Sequence, residues 1–305
     1  MGVLGGAALV GVGMTRDDGG GAVPLAGSFS DGPTSADGPT PTASPSPTGP
    51  SPAELARQKA EQAEKKRATQ VKALDAALKK YAATVPEFSV AVLDKKTGKR
   101  YSFRGSETYE TASVVKVQVL ACLLLTAQDK GRDLTSTESG LAKRMIQASD
   151  NDATTALFSR LGRAPAITRC NKRLGLTSTR VSDSWGLTRT TVNDQVKLLS
   201  ELVDSKGPLD AGSRKLAYSL MSTVEEDQDW GVPVVAKAGE RTTVKNGWLP
   251  RSTEGNRWII NTVGRVTGDG TDVSIAVLSH NHASMSGGIA VVERAAKITR
   301  QYLKY

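Results

Sequence analysis

An α+β fold, with one antiparallel sheet flanked by helices and assembled from both ends of the domain, is what this chain of 305 residues predicts. Two strand-like runs, Phe88–Leu93 and Lys99–Phe103, stand ahead of a long block of helical periodicity from about 113 to 224. Three more strand-like runs follow at 243–249, 258–265 and 273–279, and a last helical pattern runs from about Ser284 to Leu303. Strands, helices, strands and a closing helix describe a sandwich in which early and late strands share one sheet.

The N-terminal third is organised differently. Met1–Met14 is an apolar run about as long as the hydrophobic core of a signal peptide, without a basic segment ahead of it, and is read as an export or anchor remnant. Residues 15–52 form a linker of Gly, Pro, Ser, Thr, Ala and Asp that cannot bury enough apolar surface to offset its ordering entropy. Eight of the thirteen prolines lie before residue 53, so the globular domain is assigned to 53–305, including a helix at its start. Ser51-Pro52-Ala53-Glu54 is a sound helix start, and the Ala-, Lys- and Glu-rich stretch to about Thr84 reads as a long helix with an apolar stripe at Leu74, Leu78 and Tyr81. Lys96-Thr97-Gly98 is the turn of a hairpin between the first two strands. The helical block is punctuated at Gly131, Ser149–Asn151, Gly162 and the loop 175–190.

The net charge of +9 invites a nucleic-acid reading, but in 53–84, where eight Lys/Arg meet four Asp/Glu, no aromatic residue interleaves with the bases before Tyr81. A solvated basic helix near an anionic cell envelope is expected instead, with no nucleic-acid partner. Cys122 and Cys170 are too few for a disulfide framework and lack CxxC spacing; pairing between them is left open.

Chemistry concentrates at Ser113-Val-Val-Lys116, the chain's single S-x-x-K. A lysine three residues after a serine returns to the same helix face, where it can take the hydroxyl proton. The apolar run Val117–Leu125 that follows buries the pair, which draws the lysine pKa toward neutrality. Ser149-Asp150-Asn151 lies in a tight turn between helices, where a hydroxyl can relay a proton and an amide can hold a carbonyl. Of three K-x-G triplets, Lys96-Thr-Gly98 is hairpin chemistry and Lys237-Ala-Gly239 falls in a Gly- and Pro-rich loop, whereas Lys245-Asn246-Gly247 lies in a strand where glycine admits a close ligand.

S-x-x-K, S-D-N and K-x-G in this order resemble the class A β-lactamases and their penicillin-binding relatives, over roughly residues 85–305. The resemblance implies an exported, cofactor-free and metal-free serine hydrolase, extracellular or in the cell envelope. It would form an acyl-enzyme with a small β-lactam or a peptidoglycan-like peptide. It casts Ser113 as nucleophile, Lys116 as its base or electrostatic partner, Ser149 as proton shuttle and Asn151 as a substrate-orienting amide. Lys245 and Asn246 would bind the substrate carboxylate, Gly247 would admit the substrate, and the N–H groups of Ser113 and Trp248 would form the oxyanion hole. β-Lactam hydrolysis leads; a D-alanyl-D-alanine carboxypeptidase or esterase, and a non-catalytic wall-binding module, are the alternatives.

The chain departs from that pattern at several points. The interval from Ser113 to Ser149 is short, Asn246 replaces Thr or Ser, and neither cysteine stands where the family's bridge would be. The loop 175–190 has no E-x-x-L-N to position hydrolytic water; its only acid, Asp183, is the candidate surrogate. No G-x-S-x-G occurs, His280 and His282 have no partner ligands in sequence, and Trp185 and Trp230 are read as packing beside the cleft.

Overall fold

The structure, a computed structural model, describes residue 38 and residues 49–305. The apolar segment 1–14 and the linker 15–52, apart from residue 38 and residues 49–52, lie outside the described residues. Ser51–Tyr305 forms one compact unit.

Helix α1 (Pro52–Ala82) begins where its sequence predicts. Ser51 Oγ accepts from the Glu54 N–H at 3.2 Å while the Glu54 carboxylate accepts from the Ser51 N–H at 2.7 Å. Its first half is exposed, and Leu74 and Leu78 alone among its residues are fully buried. Strands β1 (Phe88–Asp94) and β2 (Arg100–Phe103) make the expected hairpin. A two-residue strand β3 (Tyr109–Glu110) leads into a 3-10 turn, Ala112–Val114, and then α2 (Val115–Asp129). Helices α3 (Ser136–Gln147), α4 (Asn151–Leu161) and α5 (Arg163–Arg173) follow, then β4 (Arg189–Thr190), which pairs with β3. Helices α6 (Val192–Glu201) and α7 (Ala211–Met221) complete the helical block. The chain returns to the sheet through β5 (Arg241–Arg251), β6 (Arg257–Gly268) and β7 (Thr271–His282), and ends in α8 (Met285–Leu303).

The antiparallel sheet has the order β2-β1-β7-β6-β5, so strands from both ends of the domain meet at the β1–β7 seam. Both faces are covered, which is why the strands are apolar almost throughout. Val90 and Val92 pack with α1 and α8, while the alternate residues Ala91 and Leu93 pack against the helical block. β7 divides likewise, with Val273, Ile275 and Val277 on one side and Ala276 and Leu278 on the other. The late strands run longer than their apolar runs suggest because polar pairs extend the ladder. Arg265 grips Asp272 with two hydrogen bonds of 2.7 Å beyond the apolar part of β6 and β7. Pro250 near the end of β5 is tolerated because β5 is an edge strand.

Helix α2, with the turn before it, is long and apolar enough to cross a membrane, yet it is mostly buried inside the domain as the axis of the helical block. A disulfide joins its Cys122 to Cys170 of α5, closing the pairing that the sequence left open.

Candidate active site

Ser113 sits in the 3-10 turn rather than at the first position of α2, and its side chain caps no helix end. The turn is locked from three directions. The Thr111 N–H donates to the Thr188 carbonyl at 2.8 Å. On β6, the buried Asn261 amide donates to the Glu110 and Thr111 carbonyls at 2.8 and 3.0 Å, and its oxygen accepts the Ser279 N–H at 3.0 Å. Gly247 on β5 lets the strand press against the turn: a Cβ there would come within 2.8 Å of the Ser113 nitrogen. These constraints hold Ala112, just before the serine, at φ +45°, and Ser149 is likewise held in the left-handed region at φ +56°. A non-glycine residue there costs about 1–3 kcal/mol, which the surrounding contacts must supply.

Lys116 lies one turn into α2 and is fully buried. Its Nζ donates to the Ser149 carbonyl (2.5 Å), to Ser149 Oγ (3.0 Å) and to Asn151 Oδ1 (2.9 Å); it makes no hydrogen bond to Ser113. Burial draws its pKa down to about 7, against the opposing charge of Asp150. Asp150 itself caps α4 through the Ala153 N–H at 2.8 Å, so it places Asn151 at the first helical position.

Lys245 approaches Ser149 from the sheet. Its Nζ donates to Ser149 Oγ and to the Asn246 carbonyl, both at 3.0 Å. Burial holds its pKa well below the usual lysine range, and the neighbouring Lys116 charge adds to the effect. Ser149 Oγ therefore stands between two lysine nitrogens at equal distance. Lys245 is 1% exposed and reaches the cleft through Ser149.

The structure differs from the sequence expectation at Asn246. Its amide is turned away to donate to the Gln228 and Trp230 carbonyls at 2.8 and 2.9 Å, and so ties down the loop before β5. Asp183 is also placed apart: its side chain is 68% exposed, lies 3.6 Å from Arg163 and takes no part in the cavity wall.

A cavity of about 370 Å³ opens beside Ser113, with Asn151, Trp185, Gly186, Leu187 and Trp248 among its walls. Trp185, read from the sequence as packing beside the cleft, lines it and covers Lys116. Its ring centroid lies 5.2 Å from Lys116 Nζ, and its Nε1–H donates to Thr155 Oγ1 at 3.1 Å. The only signal in the sequence was an aromatic residue in a glycine-bearing loop, which does not say what it covers. Asn261 gave no signal in a strand of ordinary pattern. No cluster of His, Cys, Asp and Glu that could hold a metal ion occurs among the described residues; the buried His282 is spent on Ser279 Oγ at 2.8 Å.

Fold and site define a member of the serine hydrolase superfamily that unites β-lactamases and penicillin-binding proteins. The chain belongs to the β-lactamase enzyme family, which matches residues 67–139 and 136–303. Among solved structures, an ancestral class A β-lactamase, GNCA, superposes with a TM-score of 0.65 at 20% identity, over 75% of this chain and 99% of that one. A β-lactamase from Xanthomonas campestris gives 0.64 at 18% identity, over 77% and 98%. The "Putative lipoprotein LppW" of Mycobacterium bovis and of Mycobacterium tuberculosis is 34% identical over 170 residues, 53% of this chain and 54% of the relative. The chain thus spans about half the length of the curated relatives it matches.

Proposed function

We propose that the protein is an exported serine hydrolase that opens the β-lactam amide through an acyl-enzyme on Ser113. The observation that carries this reading is Ser149 Oγ, 3.0 Å from both Lys116 Nζ and Lys245 Nζ, next to the locked serine turn. Near pH 7 a good fraction of Lys116 is neutral and can accept the Ser113 proton. As Ser113 Oγ bonds to the lactam carbonyl carbon, charge on the carbonyl oxygen is met by the N–H groups of Ser113 and Trp248. When the C–N bond breaks, the proton travels from Lys116 through Ser149 to the leaving nitrogen. Asn151 gives its oxygen to Lys116, which leaves its N–H₂ to hold a substrate carbonyl. Lys245 orients Ser149 and supplies positive potential as a substrate carboxylate approaches.

A second reading, a peptidase or esterase on the D-alanyl-D-alanine pattern, is favoured by one observation: no carboxylate lines the described cavity wall to activate water. The disulfide supports an oxidising, extracytoplasmic location, as does the lipoprotein name of the partial relatives. The exposed basic half of α1 suits contact with an anionic envelope.

Intact-protein mass before and after benzylpenicillin tests the reading. A single adduct that disappears in Ser113→Ala is expected; no adduct on the native protein, or one that persists in Ser113→Ala, would refute the acyl-enzyme.

A further inference from the structure

We propose that Trp185 sets the lifetime of the acyl-enzyme by shielding Lys116 from water, and that Gly186 leaves empty the place beside it where a base would act. This rests on the acyl-enzyme of the preceding section and concerns only its second half-reaction.

Hydrolysis of the serine ester requires water to attack the acyl carbon, lose a proton to a base and release Ser113 Oγ, which recovers a proton. Among the described residues, Lys245 reaches this centre only through Ser149, which leaves Lys116 as the candidate base. Ser149 and Asn151 take its hydrogen bonds, and the Trp185 ring stands 5.2 Å from its nitrogen. An indole face excludes water and offers no lone pair to orient it.

The ring is not a loose flap. Its N–H is anchored on Thr155 of α4, and its turn is closed by Leu187 N–H to the Ser184 carbonyl (2.7 Å) and Thr188 N–H to the Trp185 carbonyl (3.1 Å). Thr188 Oγ1 also accepts the Ser182 N–H at 3.1 Å, which fastens the loop across its base. The four residues that this turn gives to the cavity wall, Ser184 to Leu187, include no ionisable side chain.

Of the carboxylates near this site, Asp227 acts on the buried Lys245 and lines no part of the cavity, and three others are paired. Asp183 pairs with Arg163, Asp150 with the α4 cap and Arg144, and Glu110 with Arg251. Gly186 borders the cavity, and a Cβ there would meet only the Ala112 Cα at 4.0 Å, an ordinary contact. A Cβ can therefore be added at that point without a clash, at the edge of the cavity.

The test follows benzylpenicillin adducts by mass over time in the native protein, Trp185→Phe, Trp185→Ala and Gly186→Glu, with a thermal melt of each. Trp185→Phe should keep a long-lived adduct. Trp185→Ala should shorten it at least about tenfold, and Gly186→Glu by ~10²–10⁴-fold if the new carboxylate acts as general base. A readout apart from turnover accompanies these: exposing Lys116 in Trp185→Ala relieves its desolvation, so the pH midpoint of acylation should move upward. Equal adduct lifetimes in the native protein, Trp185→Ala and Gly186→Glu, all folded, would overturn the inference, as would a shorter lifetime in Trp185→Phe than in Trp185→Ala. If Trp185→Ala does not fold, Gly186→Glu and Trp185→Phe decide. Absence of any adduct on the native protein is a different failure, that of the acyl-enzyme itself.

Discussion

On one side of Ser113, Lys116, Ser149 and Lys245 form a chain of buried polar groups with 3.0 Å between each lysine nitrogen and the serine hydroxyl. On another, the turn from Ser184 to Leu187 presents a hydroxyl, an indole, a bare backbone and an isobutyl group to the cavity beside Ser113. The first group is a hydrogen-bonded path for a proton, and the second carries no ionisable side chain. On the proposed reading, such a cleft favours the step in which protons pass between serine and leaving group over the step that needs water. On that acyl-enzyme reading, the first group bears mainly on acylation and the second mainly on release, with Lys116 common to both.

The largest effect is expected at Lys116. Lys116→Ala should slow adduct formation by ~10²–10⁴-fold, read as the mass-resolved acylation rate; a loss below tenfold would show that the Ser149–Lys245 half of the wall suffices. In the native protein the rate should climb with pH through about 7, because raising the pH removes the proton from Lys116. The same depressed pKa makes the folded state bind fewer protons than the unfolded one above pH 7. Stability should therefore rise with pH from about 7 toward the unfolded lysine value and fall again on acidification, a slope that Lys116→Met should flatten in urea titrations.

Lys245→Met comes next. Loss of a hydrogen bond that holds the shuttle should cost acylation roughly 10–100-fold while the adduct, once made, decays at the native rate. A changed decay rate would mean that the two walls are not separable. Asn261→Ala removes the brace under the serine turn and leaves the Glu110 and Thr111 carbonyls short of a donor. About 1–3 kcal/mol of unfolding free energy should be lost, with slower acylation and an unchanged lifetime. The smallest effect belongs to Asp183→Asn, which should alter neither rate, since that carboxylate faces Arg163 at the surface. A lengthened adduct in this variant would restore Asp183 as a participant in release.

Much of the fold was readable because it is local. The Ser51 cap, the hairpin turn at Lys96–Gly98 and the glycine at Gly162, which ends α4 at φ +96°, follow from residue chemistry within a few positions. The β3–β4 ladder was invisible, since two residues per strand display no periodicity. In the site, the three motifs name side chains that the fold does bring together around Ser149. What they could not reveal is direction and long-range neighbours. Asn246 alternates with Lys245 along β5, and strand geometry sends its amide to the opposite side, toward Gln228 and Trp230. Trp185 meets Lys116, and Asn261 meets Thr111, only because separate elements converge, and nothing in their own segments announces it.

The seam between β1 and β7 also sets the order in which the molecule can be made. Val90 and Val92 wait for Val277 and Ile275, residues nearly the whole domain away, and α1 waits for α8 to rest upon. Contacts so distant along the chain form late and slowly. During synthesis the hairpin β1–β2 can appear, but the sheet stays split until β7 has emerged. By the same logic, removing α8 should yield an unfolded chain and not a smaller folded domain.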